Sequence, residues 1–156
     1  QAALPIAPGA RSAQPIISED LFPTVLGIAG AADKIPAGYP VDGRDIRPYL
    51  AQRDSDPERP LYFHYPHVWG PHGPGYEPHS AAVFGKWKLI YFYTSKAFEL
   101  YDLSADLGEE HNLATTEPTQ LRELAVRMDH DLRAMGAQWP TDRATGKELP
   151  MVLPGS

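Results

Sequence analysis

One uninterrupted apolar run, WKLIYFY at residues 87–93, constrains the fold of this chain most strongly. Aromatic and aliphatic residues make up the run apart from a single lysine, which is typical of a buried β-strand. Gly85 and Lys86 precede it, and a Gly-X pair is the two-residue loop that a type II′ hairpin turn requires. Residues 81–84 and 98–102 are therefore predicted to pair with this strand on either side in an antiparallel meander.

Two further patterns complete the predicted sheet and cover it. Residues 60–65, PLYFHY, have the composition of another strand. Near the C-terminus, apolar residues recur at helical spacing and form one amphipathic face over about four turns: Leu121, Leu124, Met128, Leu132 and Met135. The predicted fold class is α+β, an antiparallel sheet of about four strands packed by one long C-terminal helix.

The N-terminal part reads differently from the rest of the chain. A short strand is expected at residues 16–17, followed by a helix over residues 20–30 in which Leu21, Val25 and Ile28 form an apolar stripe. Such a stripe predicts packing against another element. We expect a first region at residues 1–59, a second at 60–138, and a weakly ordered tail at 139–156 that is rich in proline, glycine and charge.

Composition excludes several functions. The formal net charge is -6 and no basic stripe is present, so nucleic acid is a poor candidate partner. No apolar stretch approaches the ~20 residues that a membrane-spanning helix needs. The absence of cysteine excludes disulfides, thiolate metal sites and a cysteine nucleophile, but it does not fix the cellular compartment. The first residues, QAALPIAPGARSAQP, read as the middle of a longer polypeptide.

The loop at residues 66–78, PHVWGPHGPGYEP, is the most distinctive candidate for binding. Long loops within compact domains are commonly functional, and this one concentrates histidine and aromatic residues. Four histidines lie in or beside it, at His64, His67, His72 and His79. Their spacing fits no zinc pattern, so we interpret them as polar, ligand-facing side chains and expect no metal site in this chain.

Four segments together resemble the sulfatase family. Residues 15–30, PIISEDLFPTVLGIAG, resemble the family's strand-to-helix stretch, and residues 42–50, DGRDIRPYL, resemble the segment that follows it. Residues 81–93 are similar to the A-x-R-x-G-x-W-K-L-I hairpin, with Phe84 at or beside the usual arginine. Residues 98–114, FELYDLSADLGEEHNLA, resemble the closing E-L-Y-D-L-x-x-D motif. The matches follow family order from about residue 15 to residue 133.

The resemblance implies the last part of an alkaline-phosphatase-like α/β domain followed by a C-terminal subdomain. Residues 1–59 would then include a short strand–helix remnant of the catalytic domain. Sulfatases hydrolyse sulfate esters of sugars or aryl groups with a formylglycine nucleophile held on a metal, usually calcium, and both are expected upstream of this chain. No catalytic residue is expected here, and this piece is expected to be inactive alone. The implied substrate contacts are His64, His67, Trp69 and His72, in the loop that lies near the active-site mouth in many bacterial members.

The resemblance also implies partners and a location. The missing N-terminal catalytic domain would cover apolar surface at residues 21–28 and on the free sheet face, and without it the chain could self-associate through that surface. The parent would be periplasmic or secreted, act on a sulfated small molecule or glycan, and use neither nucleic acid nor a membrane. Two alternatives remain open: an independent, non-catalytic α+β binding module, or part of a related phosphodiesterase or phosphonate hydrolase.

One local match to the family is interpreted as accidental. Residues 55–59, SDPER, have the bare S-x-P-x-R form of the segment that is converted to formylglycine. Glu58 occupies the position of a small residue, and Pro60 and a strand follow where the family has a helix. We therefore expect a solvated turn here, since its residue types are those of turns.

Overall fold

The computed structural model describes residues 6–51, 53–68 and 77–155, and it divides the chain into two compact units, the first ending at Leu61 and the second beginning at Tyr62. The α+β fold class is confirmed, and the predicted domain boundaries stay predictions. Within the described ranges, no helix is long and apolar enough to cross a membrane. The elements are α1 (Leu21–Ile28), α2 (Arg47–Leu50), β1 (Leu61–Tyr65), β2 (His79–Phe84), β3 (Trp87–Phe92), β4 (Phe98–Asp102) and α3 (Pro118–Ala134), with 3-10 turns at Ser18–Asp20 and Ala32–Lys34.

The sheet has the predicted meander at its centre, with strand order β1-β2-β3-β4. Strand β3 pairs antiparallel with β2 and with β4, so that Leu89 lies between Ala82 and Leu100. All three of these side chains are fully buried. Gly85 at the β2–β3 turn has a φ of 56°, a value that glycine adopts without the steric cost of a Cβ. The prediction that the 87–93 run forms a central strand is confirmed.

Helix α3 covers one face of the sheet through the amphipathic face that the sequence predicts. Leu121, Leu124, Met128 and Leu132 are buried, and Ala125 joins them in the core of the second unit. Met135 was included in the predicted face, but its side chain is 56% exposed because the helix has ended before it.

The segment after β4 closes the edge of the sheet. The Leu100 amide donates to Asn112 Oδ1 at 3.1 Å, and the Leu113 amide donates to the Leu100 carbonyl at 2.8 Å. The same segment contains Glu109, whose two carboxylate oxygens each accept a 2.7 Å bond from Lys88 Nζ. Lys88 and Glu109 therefore form an ion pair beside the sheet.

The C-terminal segment expected to be a weakly ordered tail packs onto the second unit. Met151 is 5% exposed and joins the core, while Trp139 and Leu153 pack against it. The Val152 amide donates to the Tyr91 hydroxyl at 3.2 Å. A prediction from proline and charge content overlooks these few apolar residues, each of which gains free energy by leaving water.

A buried ion pair organises the first unit. The Arg59 guanidinium donates two bonds, of 2.8 and 2.7 Å, to the two carboxylate oxygens of Asp20. Asp20 is 0% exposed and Arg59 is 4% exposed. The carboxylate also accepts bonds from the amides of Ile17 and Arg44. Arg59, expected in a solvated turn, is instead the buried partner of a residue 39 positions earlier in the chain.

The same carboxylate explains why no strand forms at residues 16–17. The Ile17 amide, which a strand would use for pairing, donates to Asp20 Oδ2 at 3.0 Å. Burial raises the pKa of Asp20, but the hydrogen bonds from Arg59, Arg44 and Ile17 outweigh this effect and lower the pKa to about 2. Asp20 is therefore ionised at neutral pH although it is out of contact with water.

Helix α1 turns its small and polar face inward within the first unit. Thr24 and Gly27 are its buried residues, and the Ile46 amide donates to Thr24 Oγ1 at 3.0 Å. A Cβ at position 27 would overlap the Arg47 guanidinium, so glycine is the residue that fits there. The apolar stripe and Phe22 beside it are exposed rather than packed within the unit: Leu21 57%, Phe22 51%, Val25 59% and Ile28 70%. That the catalytic domain covers this surface stays a prediction.

Candidate functional site

The candidate site lies at one end of the sheet in the second unit, where β1 ends and β2 begins. Two of the predicted contact residues, His64 and His67, are within the described part of the chain, and His67 is exposed. The other two, Trp69 and His72, lie outside the described residues. The four predicted contacts therefore stay a prediction, and His64 is the one whose surroundings are defined in most detail.

His64 is held by protein groups on both ring nitrogens. Its Nδ1 lies 2.7 Å from Ser80 Oγ, and its Nε2 lies 2.7 Å from the Gln138 carbonyl oxygen. Because a carbonyl only accepts, Nε2 must carry a hydrogen and donate it. In the neutral ring Nδ1 is then the acceptor, so Ser80 donates to it. In this arrangement neither nitrogen of His64 is available to a ligand.

Ser80 continues the network into the core. Its Oγ lies 2.7 Å from the Tyr93 hydroxyl, and since Ser80 donates to His64, Tyr93 donates to Ser80. Burial raises the pKa of Tyr93 to about 12, with the Ser80 hydrogen bond acting in the opposite direction. A serine beside a histidine at 2.7 Å has the spacing of a nucleophile and its base. Ser80 is 0% exposed, so no substrate can reach it, and the network stabilises the structure.

Trp139 closes the outer side of this network, and the sequence analysis did not assign it to the site. Its ring lies 5.9 Å from the His64 ring at 85° and 6.2 Å from the Tyr93 ring. The Arg133 guanidinium lies 5.2 Å from the Trp139 ring centroid and forms an ion pair with Asp129. A single tryptophan in a polar C-terminal segment was the only signal in the sequence that could have indicated this contact.

On the opposite face of the sheet, three rings form a row, of which only His79 was predicted to face a ligand. Tyr65, at the end of β1, lies 5.5 Å from His79, at the start of β2, and His79 lies 6.1 Å from Phe92, at the end of β3. His79 and Phe92 are register partners. Alternation along β2 places His79 on the face opposite Ser80. We call Tyr65, His79 and Phe92 the ring row.

The described residues offer no metal site. Across residues 6–51, 53–68 and 77–155, no group of three or more histidine, aspartate or glutamate side chains could hold an ion. That this chain has no metal site stays a prediction. The chemistry available here is hydrogen bonding, ring stacking and apolar contact, which are means of binding and positioning a ligand.

Comparisons with known proteins identify the family. The family model for N-sulphoglucosamine sulphohydrolase, C-terminal, matches residues 3–138. A sulfatase of Formosa agariphila is 34% identical over 131 residues, which cover 80% of this chain and 23% of that protein. The steryl-sulfatase of Rattus norvegicus is 34% identical over 93 residues, which cover 56% of this chain and 14% of that enzyme.

A solved structure extends the comparison to the fold. The structure of BT1596, a 2-O GAG sulfatase, superposes with a TM-score of 0.57 and 25% identity, over 76% of this chain and 25% of that chain. The present chain thus spans a quarter or less of the length of these relatives. Because the family model covers most of its residues, this protein belongs to the N-sulphoglucosamine sulphohydrolase C-terminal family and corresponds to the C-terminal portion of a sulfatase.

Proposed function

We propose that this chain is the C-terminal part of a larger enzyme that hydrolyses sulfate esters of sugars or aryl groups. The observation that carries the proposal is the family match over residues 3–138. The described residues hold a buried, fully satisfied polar network, and among them no group of three or more histidine, aspartate or glutamate side chains could hold an ion. We therefore assign the nucleophile, expected to be formylglycine, and the calcium ion to the rest of the parent protein. On this proposal the chain alone is inactive.

The exposed face of α1 is proposed to be covered by the catalytic domain of the same parent. Four apolar side chains lie on this short helix, each more than half exposed. Burying these side chains against a partner would contribute about 25 cal/mol of favourable free energy for each Å² of apolar surface removed from water. The relatives are about four times as long as the matched segment, so they contain enough chain to supply such a partner.

We propose a periplasmic or secreted location for the parent.

The test is to express the parent gene in full beside the 156-residue chain and assay both on aryl sulfates and sulfated sugars. We expect hydrolysis by the full protein that is abolished by a calcium chelator, and none by the chain alone. Hydrolysis of phosphate diesters without sulfate release would favour the phosphodiesterase alternative. A reading frame with no catalytic region upstream would favour an independent binding module and overturn the proposal.

Size-exclusion chromatography tests the proposed role of α1. If the stripe is an interdomain surface, Val25→Ser with Ile28→Ser should reduce self-association of the 156-residue chain and should destabilise the full protein. Val126→Ser is the matched control, since Val126 is an exposed valine on α3. A monodisperse wild-type chain together with a full protein that tolerates the double change would contradict the assignment.

A further inference from the structure

The ring row includes a hydrogen-bonding atom, His79 Nε2, that no described residue uses. His79 Nδ1 lies 2.8 Å from the Glu77 carbonyl oxygen. A carbonyl only accepts, so Nδ1 carries the hydrogen in the neutral ring, and Nε2 has a free lone pair. Within the described part of the chain no group is bonded to this Nε2. His79 thus differs from His64, whose two nitrogens are both occupied by protein groups.

Two aromatic rings flank the imidazole that carries this lone pair. Tyr65 lies against His79 at an interplanar angle of 35°, and Phe92 lies on its other side at 48°. All three side chains are half-buried, so each retains accessible ring surface. The row draws one residue from the end of each of three adjacent strands, and hydrogen bonding between the strands fixes their spacing.

The chemistry of His79 Nε2 selects the kind of group that this nitrogen can bind. A neutral imidazole nitrogen accepts a hydrogen bond, so its partner must be an O–H or an N–H. A sulfate group at neutral pH offers only acceptor oxygens, and the lone pairs of these oxygens would repel the lone pair of His79 Nε2. Flat rings beside an acceptor suit the C–H face and a hydroxyl of a sugar ring.

From these observations we propose that the ring row is a carbohydrate subsite in which His79 Nε2 accepts a hydrogen bond from an unsulfated hydroxyl. The identification of the ligand as a sugar rests on the proposed function, whereas the preference for a hydroxyl over a sulfate rests on the geometry of His79. Recognition of the sulfate group is then left to other residues of the parent. His79, interpreted from the sequence as ligand-facing, thereby joins the four predicted substrate contacts with a defined role.

The experiment uses the 156-residue chain with 13C-labelled histidine, followed by NMR at about pH 8. The probes are N-acetylglucosamine and its 6-sulfate. We expect the His79 ring signals to shift saturably with both sugars, with dissociation constants that agree within about threefold, because the sulfate adds no contact at this nitrogen. A shift with the sulfated sugar alone would overturn the proposal, and so would no shift with either.

Three variants assign the effect. His79→Phe keeps a ring and removes the acceptor, so affinity should fall about tenfold, the loss of one hydrogen bond. His79→Gln places an amide oxygen near the position of Nε2 and should retain part of the affinity. His111→Gln is the control, since the His111 side chain is 77% exposed in the segment that follows β4. Equal binding by wild type and His79→Phe would overturn the proposal.

The result of the binding test on His79 can be distinguished from the result of the sulfatase assay on the parent protein. If the full parent fails to release sulfate while the chain still binds both sugars through His79, the enzymatic proposal falls and the subsite stands. If the parent is an active sulfatase and His79→Phe binds as wild type does, the subsite falls and the enzymatic proposal stands. Should His79→Phe unfold, as its circular dichroism spectrum would show, the comparison of His79→Gln with wild type decides.

Discussion

Replacing Asp20 with asparagine should destabilise the first unit by about 3–5 kcal/mol, because it leaves the Arg59 guanidinium buried without its counter-charge. Part of this loss follows from the ionisation of Asp20. Its pKa falls from 3.8 to about 2 on folding. At about 1.4 kcal/mol per pKa unit, the folded-state interactions of the carboxylate contribute about 2 kcal/mol. The remainder is the cost of the unpaired arginine.

The pH dependence has a definite sign. A depressed pKa means that the stabilisation is present in full above the unfolded value of 3.8 and is lost as the pH falls through about 2. The asparagine that replaces this carboxyl in the variant does not titrate. The difference in unfolding free energy between wild type and Asp20→Asn should therefore be largest at neutral pH and narrow by about 2 kcal/mol as the pH is lowered from about 5 to about 2.

Hydrogen exchange is the appropriate assay, because it resolves the first unit from the second. At about pH 7 the amides of Ala29 and Ile46, which are bonded to Val25 and Thr24, should exchange about 10²–10⁴ times faster in Asp20→Asn. Asp33→Asn is the control, since its ion pair with Lys34 is exposed and should contribute less than about 1 kcal/mol. A loss below about 1 kcal/mol, or a difference that is constant with pH, would refute the reasoning.

Three further changes test the second unit. Ser80→Ala leaves His64 Nδ1 and the Tyr93 hydroxyl without a partner, so urea unfolding followed by tryptophan fluorescence should show a loss of about 1–3 kcal/mol; an unchanged midpoint would contradict the network. Met151→Ala should cost about 2–5 kcal/mol if the C-terminal segment belongs to the core, and near zero if it does not. Asn112→Ala should speed exchange of the Leu100 amide at least about tenfold; unaltered protection there would show that Asn112 does not hold the edge.

The helices and strands that depend on a local sequence pattern could be predicted. The apolar run of β3, the glycine turn before it and the helical spacing of apolar residues in α3 each depend on residues close together in sequence. Their burial follows, since strand and helix periodicity fix which side chains share a face. The resemblance to sulfatases in four short segments was predictable for the same reason, and the family match confirms it.

Features that depend on contacts between residues far apart in the sequence could not be predicted. Nothing near Arg59 in the sequence indicates that Asp20 will neutralise it, and an isolated arginine in a turn is normally solvated. The apolar stripe of α1 correctly indicates a helix, but periodicity cannot tell whether the partner of that stripe lies within the same unit. The histidines show the same limit most clearly, because His64 and His79 differ only in which carbonyl and hydroxyl groups the fold brings beside them.

The closure of strand β4 has a consequence for how this sheet can meet other chains. An edge strand with free N–H and C=O groups is a template on which another strand can add, and this is a common route to aggregation. At Leu100 both groups are already bonded, to the Asn112 side chain and to the Leu113 amide. An incoming strand would have to displace both bonds before it could pair there. The sheet is therefore protected at this position against the addition of a further strand.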